Sequence, residues 1–271
     1  MIFLRRQEEI EKIRESGRIV AGALDLAEEA VRPGITTDTL DAMIEEYILS
    51  EGGVPSFKGY HGYPASSCLS INDVVVHGIP DKGRELKSGD IIGVDIGCYK
   101  NGYHGDAAKT FAVGEVEDRV ILQMQVTREA LYEGIQQARI GNKLGDISAA
   151  IQNRVEMHSF SIVRDLVGHG VGEKLHEDPQ VPNYGRPGTG PSLKAGMVLA
   201  LEPMVNAGSF AVETLKDGWT VVTKDGGLST HFEHTITITE TGPEVLTLSS
   251  KFGSFTEEVE KARAEARTRI G

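Results

Sequence analysis

Ile10, Ile13, Val20, Leu24 and Val31 fall on one helical face, and Pro33-Gly34 ends the pattern, which predicts a first helix. Thr37 is placed to cap a second helix that carries Leu40, Ile44 and Ile48. The period then shortens, and residues 66–77 and 89–113 read as strands. The order repeats in the second half. Helices are expected around 117–138 and 144–157, then strands near 161–168, 196–205, 210–223 and 230–239. Helix pairs followed by antiparallel hairpins predict an α+β fold in which helices cover a curved sheet. Residues 251–271, with "TEEVEKARAEARTRI", read as a polar appended surface helix or tail, because they offer little apolar face.

The repeat is visible in the residues themselves. "LKSGDIIGVD" (86–95) matches "LKAGMVLALE" (193–202) at an offset of 107, and the same offset aligns residues 31–48 with 138–155. Arg32 and Gly34 fall on Arg139 and Gly141; Leu40, Ile44 and Ile48 fall on Ile147, Ile151 and Val155. Two sites at one offset point to a duplicated domain over residues 1–250. Asp95 and Glu202 then occupy equivalent positions.

Composition narrows the class. Apolar residues at 39% and charged residues at 25% are ordinary for a globular protein. A net charge of -12 argues against a nucleic-acid partner, since neutralising phosphates needs a basic face. The start, "MIFLRRQEEIEKIRES", does not read as a signal peptide, and no apolar run approaches membrane-spanning length. Only Cys68 and Cys98 occur, too few and too isolated for a structural zinc site; a reducing cytoplasm is the expected setting.

Chemistry is concentrated on a few acids and histidines. In "GVDIGCYKNGYHGDAAKTF" the Asn101-Gly102 pair signals a two-residue hairpin turn. Folding there pairs Tyr99 with His104, Gly97 with Asp106 and Asp95 with Ala108. Asp95 and Asp106 become diagonal neighbours on one face, about 7–8 Å apart or a little less. That suits two carboxylates converging on metal; the alternative is a pair of exposed acids on a solvated face. Glu202 interrupts the apolar "MVLALEPMV", where an acid is costly unless paired or metal-bound, and Pro203 ends the ladder after it. Glu233 shares a strand face with Thr235 and Thr237 in "STHFEHTITIT". Taken alone, either glutamate fits a structural ion pair as well as a ligand role. "GHGVGEKLHEDP" adds His169 and His176 on a glycine-rich backbone, and fails the helical zinc-protease pattern because position 180 is Gln and Pro179 breaks the helix. His77 ends the apolar "VVVHGIP", at a sheet rim. Carboxylates with few imidazoles favour hard or borderline divalent ions, and two ions about 3.5–4 Å apart need bridging carboxylates.

With "GYHGYPASSCLSINDVVVHGIP", the Asp95/Asp106 hairpin, "GHGVGEKLHEDPQVPNYG", "LEPMVNAG" and "DGWTV…FEHTITIT", the chain resembles the methionine aminopeptidases of the short bacterial type I class from about residue 7 to 248. The resemblance implies a duplicated pita-bread fold and two divalent metal ions (cobalt, manganese, iron or zinc). It implies Asp95, Asp106, His169, Glu202 and Glu233 as ligands, with Asp106 and Glu233 bridging, and a metal-activated water attacking the first peptide bond of a new protein. Glu202 would accept the proton, and His77 and His176 would contact the scissile peptide. Tyr60, Tyr63, Cys68, Leu175 and Trp219 would line the methionine pocket, where members often carry an aromatic residue in place of Leu175. The implied partners are the N-termini of nascent polypeptides, for a monomer in the cytoplasm with ribosome contact left open, and neither a membrane nor a specific nucleic acid. Proline-specific peptidases and creatinase relatives generally carry an extra N-terminal domain, whereas the first site-bearing strand here begins near residue 66. A non-catalytic binding protein on this fold should have lost ligands, and none is lost.

Overall fold

The computed structural model describes residues 1–251 and 254–270, with backbone alone for 262, 263 and 265–270. Among the described residues five α-helices form: α1 (Gln7–Ala30), α2 (Thr37–Ser50), α3 (Asp118–Gln137), α4 (Leu144–Glu156) and α5 (Phe255–Ile270). Helices α1 and α2 bury Val20, Leu24, Leu40, Ile44 and Ile48 against Ile92, Val94 and Ile96 of the first sheet. Helices α3 and α4 bury Leu131, Ile135, Ile147 and Ile151 against Leu199, Leu201 and Ile236 of the second. Each half thus has its own apolar core, as the two periods predict.

The duplication reaches backbone detail. Isolated bridges join Thr36 to Glu85 and Lys143 to Ser192, the same pair displaced by the repeat offset. Gly34 and Gly141 take φ of 93° and 97°, and Gly89 and Gly196 take 98° and 84°. These left-handed turns, which only glycine adopts cheaply, explain why the glycines recur.

Strand Ile91–Lys100 pairs antiparallel with Tyr103–Ala112 in the expected register: Tyr99 faces His104, Gly97 faces Asp106 and Asp95 faces Ala108. Asn101 and Gly102, at φ 52° and 90°, make the primed turn that matches strand twist. In the second half a five-stranded antiparallel sheet runs Gly242–Val245, His234–Thr239, Val198–Leu201, Gly168–Gly170, Glu177–Val181. The halves are sewn together along Tyr103–Ala112. Glu233 N donates to Ala108 O (2.8 Å), Asp106 N to Thr235 Oγ1 (3.1 Å), Thr235 Oγ1 to Asp106 O (2.7 Å) and Thr110 Oγ1 to His231 O (2.8 Å).

Three local expectations need correction. The cap of α2 is Thr36, whose extended backbone lets Oγ1 accept from Thr39 N at 3.2 Å. Thr37 is already helical, and its hydroxyl bonds the Asp81 backbone instead. The expected strand over 161–168 is only Ser161–Ile162, with a second strand at Gly168–Gly170; residues 163–167 bend between them. The ladder over 230–239 breaks at Phe232 and Glu233, because Glu233 N leaves its own sheet to bond Ala108 across the seam. At the C-terminal end the polar stretch forms α5, where Val259 is buried with the second core and Phe255 stands edge-on to Tyr132.

Candidate metal centre and active site

The seam brings the acids together. Asp106 is anchored through its backbone to Thr235, two residues beyond Glu233, so the bridge between halves sets these two carboxylates face to face. Glu202 follows strand Val198–Leu201, where Pro203 breaks the ladder and the freed Glu202 carbonyl accepts from Asn183 Nδ2 at 3.0 Å. His169 pairs opposite Ala200 on the neighbouring strand. Its Nδ1 lies 2.9 Å from the Gly170 carbonyl, so Nδ1 carries the proton and Nε2 offers its lone pair to the cavity. Nε2 stands 3.5 Å from Glu202 Oε1 and 3.9 Å from Asp106 Oδ2. Ligand atoms of Asp106, His169 and Glu233 all lie within 4.8 Å of one another.

This arrangement is expensive without a cation. Asp95 Oδ1, Asp106 Oδ1 and Glu233 Oε1 are sealed from solvent and have no hydrogen-bond partner among the described residues. Burial pushes the Asp95 carboxyl up to about 7. Burial, then repulsion from neighbouring acids, holds Asp106, Glu202 and Glu233 well above the carboxylate range. A divalent ion inverts that logic by supplying the missing charge and the missing partner at once. The donor set of carboxylates plus one neutral imidazole fits such an ion.

All twelve residues singled out in the sequence line one cavity of about 280 Å³. Its floor holds the five metal-type donors. Its wall is apolar: Tyr63, Cys68 and Leu175 are buried together, with Tyr60 and Trp219 packed against them. Trp219 meets Tyr63 edge-on at 5.2 Å, and Asp217 fixes its turn by accepting from Trp219 N and Thr220 N, both at 2.9 Å. Burial raises the Cys68 thiol far above its ordinary value, so it behaves as a small apolar group. His77 and His176 border the cavity, and Tyr60 Oη lies 2.8 Å from His176 Nδ1. Burial lowers His77, and burial with repulsion from His77 and His61 brings His176 down to about 4, so both are neutral at neutral pH.

Sequence reasoning passed over His231. It is buried, its Nε2 lies 3.9 Å from Glu202 Oε2, and that atom has no hydrogen-bond partner among the described residues. Its place two residues before Glu233, with the parity of that face, was the available signal. A larger cavity of about 390 Å³ opens behind Glu233 between α1 and α3, but the clustered donors face the smaller one.

The model of metallopeptidase family M24 matches residues 11–240. A methionine aminopeptidase of Clostridium perfringens is 54% identical over 248 residues, covering 92% of this chain and 99% of its own. The crystal structure of a methionine aminopeptidase from Rickettsia prowazekii superposes with a TM-score of 0.90 at 43% identity, covering 92% of this chain and all (100%) of the other. A prolidase from Pyrococcus horikoshii shares the fold alone, with a TM-score of 0.74 at 22% identity over 91% of this chain and 64% of its own. The chain therefore belongs to the M24 metallopeptidases, which have this duplicated α+β architecture. Within that family its place is among the methionine aminopeptidases.

Proposed function

We propose that the protein is a metal-dependent methionyl aminopeptidase that removes the N-terminal methionine of nascent polypeptides in the cytoplasm, preferring a small second residue. The observation that carries this reading is the convergence of five ionisable donors from both halves on the floor of one apolar-walled cavity. Asp95, Asp106, His169, Glu202 and Glu233 would hold two divalent ions, with Asp106 and Glu233 shared between them. The ions would polarise the peptide carbonyl and make water acidic enough to serve as nucleophile at neutral pH.

The chain's own residues supply the rest. An unbranched thioether fits the slot of Tyr60, Tyr63, Cys68, Leu175 and Trp219, where sulfur–aromatic contact is favourable. A free amine could offer its lone pair to an ion held by the cavity floor, whereas a formylated nitrogen, its lone pair delocalised into the amide, could not. Glu202, on the same cavity floor and 3.5 Å from His169 Nε2, accepts the proton released by the attacking water and returns it to the leaving amine. Neutral His176, oriented by Tyr60, faces the peptide carbonyl and stabilises the charge that develops there, and His77 contacts the same peptide. Among the described residues no helix is long and apolar enough to cross a membrane. The test is to strip the protein with chelator, restore it with manganese, cobalt, iron or zinc in turn, and quantify methionine released from Met-Ala peptides. Activity absent without metal and restored by a divalent ion supports the reading; chelator-resistant release refutes it.

A further inference from the structure

Arg5 lies outside the residues matched by the family model, in the segment that leads into α1. Its guanidinium reaches across to Glu177, with Nη2 at 2.6 and 2.5 Å from the two carboxylate oxygens. Both side chains are nearly sealed, 6% and 5% exposed. Glu177 directly follows His176. The same Glu177 carboxylate also accepts from Lys174 N at 3.1 Å, so it clasps the loop from both sides of Leu175 and His176. Other holds act on the loop's two ends and its side chains: Val171 N donates to Val198 O at 3.2 Å, Leu175 is buried in the apolar wall, and Tyr60 Oη lies 2.8 Å from His176 Nδ1. The loop's backbone is irregular from Val171 to His176, with bonds from Gly172 N to Lys174 O and from His104 N to Gly172 O. Arg5 is itself fixed by a bond from its amide to Gly196 O at 2.7 Å, by Glu9 at 3.9 Å, and by stacking over Tyr103 and Phe3. Gly172 completes the seat, since a Cβ there would stand 2.1 Å from Arg5 Nη2.

We propose that Arg5 is a positioning residue for the reaction: through Glu177 it sets where His176 meets the peptide carbonyl. It touches neither substrate nor metal donors. This inference rests on the role given to His176 above. Nη2 alone contacts both Glu177 oxygens, while Nη1 lies 3.9 Å from Glu9 and 3.9 Å from Glu173, so the planar guanidinium is oriented by acids on two of its nitrogens, which a single point charge cannot reproduce.

The test is a double-mutant cycle on the metal-loaded enzyme with a Met-Ala peptide, following kcat, KM, bound metal and Tm. Arg5→Met should lower kcat about ten- to a hundredfold, the scale of loss from a remote misplacement, with bound metal unchanged. KM should stay within about twofold, because the contact matters most in the transition state. Arg5→Lys should recover part of the loss. In a His176→Ala background, Arg5→Met should change kcat by less than about twofold, since the group it positions is gone. Equal losses in both backgrounds would show a general structural role and overturn the proposal, as would an unchanged kcat or lost metal. If Arg5→Met is unfolded at the assay temperature, Glu177→Gln, which keeps the volume and weakens the same clasp, goes through the same cycle with the same expectations. A His176→Ala enzyme with full turnover would sink the reading of His176 and this inference together; a deficient His176→Ala with a silent Arg5→Met sinks the inference alone.

Discussion

Replacing Asp106 with Asn should act with opposite signs on the protein with and without metal. Ligand oxygens of Asp106 and Glu233 lie within 4.8 Å of each other. With both ionised, and an effective dielectric near 20, their repulsion is about 3.5 kcal/mol. Burial, then repulsion from neighbouring acids, raises both carboxyls above the ordinary range, so the penalty grows as pH rises. Asp106→Asn keeps the shape and removes one charge. Where both groups are ionised, metal-free protein should therefore gain up to about 3 kcal/mol, or roughly 5–10 °C in Tm for a chain of this size. The loaded protein should move the other way. Wild type gains about 2.7 kcal/mol from metal at a hundred times Kd, and the variant, short of a shared donor, should gain little and lose nearly all turnover. Calorimetric melts at high pH, with chelator and with excess manganese, give all four values. A variant less stable than wild type without metal, or one that keeps the metal-induced rise, would refute the reasoning.

Asp95 makes a pH prediction: its carboxyl titrates near 3.9 in the unfolded chain and at about 7 in the metal-free fold, because of burial. The folded state holds the proton longer, so metal-free stability should fall as pH rises from about 4 to 7, while bound metal should flatten that fall and release protons measurable with an indicator dye. His176→Ala should keep its metal and lose about 10²–10³-fold in kcat, as on removal of a donor to a developing oxyanion; lost metal with His169→Ala unaffected would reverse the two roles. Thr235→Val removes both hydrogen bonds that tie the seam to Asp106 and should cost about 2–3 kcal/mol in denaturant melts, with weakened metal binding.

What was legible in the sequence was local or repeated. The Asn101-Gly102 turn sets the register of its hairpin, so the shared face of Asp95 and Asp106 could be counted residue by residue. The offset of 107 announced the second half and made Asp95 and Glu202 equivalent. Pro203 marked the break beside Glu202. What stayed hidden depends on contacts between distant segments. No periodicity announces that Thr110 and Asp106 bond residues 231 and 235, and that seam pulls Glu233 out of its ladder. Val74–Val76, which presents His77, pairs with Val221–Thr223 from the other half, so His77 and Trp219 share a wall that neither segment reveals. Adjacent threonines likewise concealed the cap of α2, because only the Asp81 contact shows that Thr37 is occupied elsewhere. The apolar content of α5 was too small to show that Val259 and Phe255 seat it on the second core.

The most direct measurement is the release of the first residue from a peptide panel varied only at its first two positions, read by mass spectrometry on one preparation before and after metal is stripped and restored. The account predicts no release without metal. With metal restored, Met-Ala and Met-Gly peptides should be cleaved much faster than Met-Leu or Met-Lys. Leu-initiated peptides should be slow, and formylated ones resistant. Preferential cleavage of Xaa-Pro peptides whatever their first residue, or no cleavage with any divalent ion, would contradict it.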